Sequence, residues 1–242
     1  MQRGSNLSLA RRHFLCGCCA GVVIGFTPAL AHAADEVVPI SREPHHHERL
    51  KNEYVRVIEV TVDPGDATLF HRHELDFAYA AVRGAELRNE VFNNPEATIM
   101  RLDTNDVRFA AYQEKPYIHR VTNRSAEPFW LVGFEITLPA PGGFNGSDRR
   151  EAPAYVSEVA NNRLRVWRLK LSPGQAAPSI ATSGPGLRVL LSGDQIEEST
   201  GNAPGRDIPV KQGGFEWQPA GARPAIKNTG RLPVELVEFE LR

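Results

Sequence analysis

The sequence predicts an all-β protein made of two small barrels in tandem, and three observations predict it. Past residue 33 the chain runs in short apolar/polar alternations bounded by Pro, Gly, Asn and Asp, the period-two pattern of half-buried strands. No window carries a long amphipathic helix. The pattern also repeats. Asn52–Val57 (NEYVRV) leading into Asp63-Pro64-Gly65 returns 109 residues later as Asn161–Val166 (NNRLRV) leading into Ser172-Pro173-Gly174. Asn123 with Pro128, Leu131, Val132, Phe134 and Glu135 returns at an offset of 105 as Asn228, Pro233, Leu236, Val237, Phe239 and Glu240. Two nearly equal offsets mean a duplicated unit.

Residues 1–33 stand apart. They hold Arg3, Arg11 and Arg12, no acidic residue, an apolar run from Phe14 to Leu30, and the small-x-small sequence Ala31-His32-Ala33. Glycines and Pro28 interrupt the run, so it reads as a cleaved secretory leader rather than a membrane span. Arg11-Arg12-His13-Phe14-Leu15 resembles the twin-arginine core, which implies export of a folded protein and an expected location that is periplasmic or secreted. Lipid attachment at Cys18 is the weaker reading, because it would leave most of the apolar run on the mature chain. Removing the leader leaves 25 basic against 29 acidic residues, a formal charge of −4, which argues against nucleic acid or an anionic membrane as partner. Cys16, Cys18 and Cys19 all lie in the leader, so the mature chain has no disulfide, thiolate ligand or thiol nucleophile.

The elements follow in order. Residues 34–137 form the first unit, with strands expected at Tyr54–Val62 (YVRVIEVTV), Phe77–Val82, Pro116–Val121 and Phe129–Thr137. The stretch 138–153 (LPAPGGFNGSDRREAP) is dense in Pro, Gly and charge, as a linker should be. Residues 154–242 form the second unit, with strands expected at Leu164–Leu171, Leu187–Leu191 and Val234–Leu241. Units of roughly 90–100 residues bury little surface alone, so the two are expected to pack together.

Histidine placement carries the chemistry. Five of the eight histidines fall within the first 47 residues; the others are His71, His73 and His119. On a strand, residues i and i+2 share a face, so His71 and His73 enter the barrel together and His119 meets them from another strand. Three neutral imidazoles suit Fe, Mn, Ni, Cu or Zn and leave coordination positions open.

The frame Gly65-x5-His71-x-His73 with Gly84, followed by His119-x3-Asn123, resembles the two motifs of the cupin superfamily. The second half keeps the skeleton in Gly174, Gly193, Gly213, Pro219, Gly221 and Asn228, but has Ile180, Thr182 and Pro224 at the histidine positions. The resemblance implies a bicupin: two jelly-roll barrels, a metal site in the first and a degenerate second. The family's glutamate falls on Phe77 or Ala78, and Glu114-Lys115-Pro116 stands where Pro-x-Gly is expected. What remains resembles three-histidine cupins, which implies one divalent ion, Fe(II) first, and an oxygenase acting on a small organic substrate. A sugar-acid lyase or isomerase and a non-catalytic metal or ligand binder stay open, and a homodimer would be in character.

Other candidates are graded against ordinary structural roles. Glu74 and Asp76 have the wrong strand parity for the pocket unless a bulge turns one. Phe77 is expected to form an apolar wall. Tyr79 and Tyr117 share the ligands' parity and are candidate catalytic phenols, although core packing is the commoner role. In His45-His46-His47 at most one or two imidazoles can face one site, and His47 is the candidate acid/base; a solvated arm is the alternative. Arg56 and Asn123 recur as Arg165 and Asn228 in the half without histidines, so both are expected to be structural. If the twin-arginine reading holds, Arg11→Lys with Arg12→Lys blocks export of folded protein, and normal export of that variant would refute it.

Overall fold

Period-two apolar segments hide one face each by pairing into sheets. The computed structural model describes residues 36–139, 154–182 and 184–242. The expected leader and nearly all of the expected linker lie outside the described residues. The first half contributes β1 (Val37–Pro39), β2 (His46–Lys51), β3 (Val55–Val62), β4 (Phe70–His73), β5 (Phe77–Arg83), β6 (Ala85–Val91), β7 (Ala97–Leu102), β8 (Val107–Ala110), β9 (Tyr117–Asn123) and β10 (Phe129–Ile136). These form two sheets, ordered β1-β4-β9-β6-β7 and β2-β3-β10-β5-β8. Strands from opposite ends of the half pair with each other, β3 with β10 and β4 with β9, which is a jelly-roll topology.

The second half contributes β11 (Tyr155–Ala160), β12 (Leu164–Leu171), β13 (Ala176–Ala177), β14 (Ile180–Thr182), β15 (Gly186–Ser192), β16 (Gln195–Ser199), β17 (Arg206–Pro209), β18 (Phe215–Gln218), β19 (Gly221–Arg223), β20 (Ala225–Asn228) and β21 (Val234–Leu241). Its largest sheet, β11-β12-β21-β15-β18, repeats β2-β3-β10-β5-β8 strand for strand. The remaining strands form β13-β20-β16-β17 and the pair β14-β19. Recurring residues do recurring jobs. Asn123 donates to the Val62 and Glu127 carbonyls, and Asn228 donates to those of Leu171 and Leu232. Gly65 and Gly174 adopt φ of +79° and +80° in the matching turns, a region that glycine enters without Cβ strain. Arg56 binds Glu135 across the β3–β10 ladder. The expected structural roles of Arg56 and Asn123 agree with these contacts.

Strand alternation divides the core. Ile58, Val60 and Val62 of β3 face the first barrel's interior with Phe77, Leu87 and Phe129. Val55 and Val57 face the other way, and with Ala78, Val132 and Phe134 they pack on Leu164, Val166, Leu187, Val237 and Phe239 of the second half. Both faces of these two sheets are therefore buried, which is why β10 reads as a nearly continuous apolar run and β21, though it carries Glu235, Glu238 and Glu240, is buried along almost its whole length. At the seam the Phe134 and Phe239 rings meet edge to face, 5.2 Å apart at 88°. Trp130 lies against Gly213, where an added Cβ would come within 2.1 Å of the indole. Asp76, buried, accepts from Arg163 Nε at 2.7 Å and from the Gln113 backbone at 3.0 Å. It is a crossing tie between the halves and points away from the pocket; Glu74 is exposed and faces Arg72.

The second barrel's interior is filled differently. Where the β5–β10 ladder sets Tyr79 opposite Gly133, the β15–β21 ladder sets Arg188 opposite Glu238, bonded at 2.7 and 2.9 Å. Glu198, at the register position of Asn89, is Arg188's other partner. The sequence skeleton puts Pro224 at the third histidine position, but the structure does not. Arg223, not Pro224, stands opposite Ile180 as His119 stands opposite His71. Proline has no N–H to donate to the ladder, and the strand breaks into β19 and β20 around it. Because the two sheets share one apolar seam, Phe239→Ala is expected to cost about 3–5 kcal/mol and to lower a single melting transition for the whole molecule. A second, separate transition for the first barrel would contradict the shared seam.

Candidate metal centre

The antiparallel β4–β9 ladder sets His71 opposite His119 and His73 opposite Tyr117. The three imidazole rings then cluster, with centroids 4.6 Å apart for His71 and His119, 4.9 Å for His71 and His73, and 5.2 Å for His73 and His119. His71 and His73 are buried and His119 is half-buried. Each neutral ring needs one nitrogen held as a donor so that the other keeps its lone pair. His71 Nδ1 donates to the Leu69 carbonyl at 2.9 Å. His119 Nδ1 donates to Asn89 Oδ1 at 2.8 Å, and the Asn89 amide is oriented by donating in turn to the Tyr117 hydroxyl at 2.9 Å. Both rings therefore present Nε2 lone pairs.

Burial sets the charge state. It pushes His71 down to about 4, with the His46 charge adding to the effect, and it holds His73 and His119 well below the usual histidine range. All three are neutral near pH 7, the form that binds a metal. The arrangement fits an ion. His73 Nε2 and His119 Nε2 lie 3.2 Å apart. Two nitrogens bonded at ~2.0–2.1 Å to one ion are about 2.8–3.4 Å apart at right-angled to tetrahedral geometry. His73 Nδ1 has no hydrogen-bond partner among the described residues, so no bond at that nitrogen fixes its tautomer. His73 and His119 thus have the spacing to share one ion, and His71 brings a third neutral imidazole to the cluster.

The arm before β3 contributes too. His46 lines the same cavity, its ring 4.6 Å from that of His71 and 6.4 Å from that of His73. Its Nδ1 donates to Glu43, a buried carboxylate. Burial opposes ionisation of Glu43, but hydrogen bonds from His46 and His45, the His46 charge and the Leu69 N–H outweigh it and hold the carboxyl down to about 2. His45 bridges Glu43 and Asp66 at 3.0 Å each. His47 is exposed and does not line the cavity.

The cavity beside the rings has a volume of about 230 Å³. Its walls are apolar and aromatic, with Phe77, Met100, Leu102, Phe129 and Leu131 prominent and no Lys, Arg, Asp or Glu among the described lining residues. Phe77 occupies the wall as expected from its parity. Tyr79 lines the cavity and burial raises its phenol. Tyr117 lies 4.7 Å from the His119 ring and stacks on Tyr112 at 5.5 Å and 4°. Tyr112 and Tyr117 also line an outer pocket of about 570 Å³, so this stacked pair stands between that pocket and the inner cavity. Sequence reasoning missed Asn89, Tyr112, and the pairing of His46 with Glu43. Only the last left a trace, an acidic residue three positions before His46 in EPHHHE.

No family model matches the sequence, and no curated protein sequence matches it. Solved structures do match. AerE from Microcystis aeruginosa superposes with a TM-score of 0.55 at 14% identity, over 83% of this chain and 98% of its own. Salicylate 1,2-dioxygenase from Pseudaminobacter salicylatoxidans gives 0.53 at 13%, over 78% and 71%. The cupin 2 conserved barrel domain protein from Leptotrichia buccalis gives 0.50 at 11%, over 81% and 88%. At such identities the likeness speaks for architecture alone. In architecture, this chain is a cupin-fold protein of two jelly-roll barrels, with its buried histidines gathered in the first.

Proposed function

We propose that this protein is an exported metal-dependent enzyme, an oxygenase that acts on a small aromatic molecule in the first barrel. The observation that carries this reading is the pairing of neutral buried imidazoles with an uncharged, aromatic-walled cavity. A cavity of 150 Å³ is known to take benzene, so one of about 230 Å³ suits a single substituted ring. A likeness in fold to an enzyme named as a salicylate dioxygenase is in keeping with such a substrate. A sugar acid suits the site less. Its several ring or chain hydroxyls would be desolvated against Phe77, Met100, Leu102 and Leu131, whereas an aromatic ring face meets those walls without that cost.

His71, His73 and His119 are the proposed ligands. The ion, with Fe(II) favoured and Mn, Ni, Cu or Zn as alternatives, supplies Lewis acidity and, when redox-active, one-electron chemistry toward dioxygen. The chain's own groups do the rest. Asn89 fixes the His119 tautomer so that Nε2 faces inward. Phe77, Phe129 and Leu131 shape the substrate's bed and exclude water. Tyr79 and Tyr117 bring phenols to the cavity, positioned to hydrogen-bond a polar substituent.

The full chain is expected to bind one transition-metal ion, and His71→Ala and His119→Ala to bind none, by elemental analysis. Asn89→Ala should keep the fold and weaken metal affinity by ~10–100-fold, the usual effect of removing a partner behind a ligand. Oxygen uptake by the metal-loaded protein is expected with hydroxylated monocyclic aromatic acids and absent with sugar acids. Turnover of sugar acids without oxygen uptake would replace the oxygenase reading with the lyase one.

A further inference from the structure

We propose that His46 is a fourth metal ligand, delivered by the arm that precedes the first barrel, and that Glu43 is the positioning residue that aims it. The proposal rests on the metal site proposed above and deepens it. Three independent observations support it.

The first is distance. The ligand atoms of His46, His71 and His73 all lie within 4.8 Å of one another, and His119 joins that group through His73, Nε2 to Nε2 at 3.2 Å. The second is orientation. Glu43 takes His46 Nδ1 and is itself fixed by the His45 N–H at 2.8 Å, the His45 ring at 3.0 Å and the Leu69 N–H at 3.1 Å. With Nδ1 committed, Nε2 is the atom His46 offers to the cavity. A carboxylate behind a ligating imidazole fixes its tautomer and raises its basicity. The arm is stitched down on both sides of the site: β1 pairs with β4, setting Val38 beside His71, and β2 pairs with β3, setting His46 beside Val60.

The third observation comes from the chain's own second copy. The β11–β12 ladder sets Tyr155 opposite Leu169 just as His46 sits opposite Val60, so Tyr155 is the register equivalent of His46. In the second barrel the four imidazole places hold Tyr155, Ile180, Thr182 and Arg223. The sequence offset also puts Ala152 where Glu43 stands. Meanwhile the scaffold pairs Arg56/Arg165, Glu135/Glu240 and Asn123/Asn228 persist in both halves. His46 therefore divides between the halves with the three inner histidines and not with the scaffold.

The test is a cobalt(II) titration of the full chain, read by visible ligand-field absorption and by calorimetry, so it does not depend on turnover. His46→Ala is expected to shift the cobalt bands and lower affinity at least ~10-fold, and added free imidazole should restore the wild-type bands. Glu43→Gln should weaken binding by ~10–100-fold with the bands kept. His47→Ala, altering an exposed neighbour, should match wild type. His46→Phe keeps a ring in place should the alanine variant fold poorly, and it should show the same band shift without imidazole rescue. Wild-type bands and affinity in His46→Ala or His46→Phe, with binding abolished in His71→Ala, would overturn this inference alone. Absence of cobalt binding by wild type would overturn the metal site itself, and this inference with it.

Discussion

A slip of one residue between β4 and β9 would turn His119 out of the barrel and bring Ile118 in, because side chains alternate faces with a period of two. The register that sets His71 opposite His119 therefore decides whether a metal site exists. Several neighbours hold it. β4 is only four residues long, so its own ladder is weak, but β1 pairs with its other edge and β9 runs on past it to pair with β6. Thr68 adds a hydroxyl that accepts from the Val121 N–H at 3.0 Å. Burial then keeps the imidazoles neutral, and Leu69 and Asn89 choose which nitrogen faces inward. Register, burial and tautomer act in series, and each depends on the one before.

The two halves show one backbone serving two interiors. In the first, Gly133 leaves room beside Phe77 and Tyr79: a Cβ there would come within 2.6 Å of the Phe77 ring. In the second, the equivalent position is Glu238, and its ion pair with Arg188 fills the space. Buried ion pairs often stabilise no more than apolar side chains of similar size. Their consequence here is geometric: a charged pair takes the places that Tyr79 and Gly133 hold in the first barrel, so the second interior lacks the uncharged, aromatic wall of the first. The second barrel instead supplies the other side of the apolar seam, which covers the outer face of β3, β5 and β10 and steadies the sheet that walls the cavity.

Much of this was legible in the sequence, for identifiable reasons. β3, β5, β10, β12, β15 and β21 are apolar on one face or both, so their runs stand out. β6 does not, because its inward face is interrupted by Asn89, a polar residue whose partner, His119, is thirty residues away. The spacing of His71 and His73 fixed their shared face without reference to anything else. His45, His46 and His47 could not be sorted that way. Which of three successive residues points inward depends on the register against β3 and on a bulge between Glu48 and Leu50, neither visible in the local sequence. His47 is the acid/base candidate in sequence, whereas it is His46 that lines the cavity. Arg223 was hidden for a related reason, since counting residues back from Asn228 ignores the break at Pro224.

The central claim is that one ion sits among the first barrel's imidazoles. Anomalous X-ray diffraction from crystals of the metal-loaded protein, collected on both sides of the metal's absorption edge, tests it most directly. A single peak within bonding distance of His71, His73 and His119, and none in the second barrel, is the predicted result. A peak elsewhere, or none among those rings at full metal loading, would contradict it.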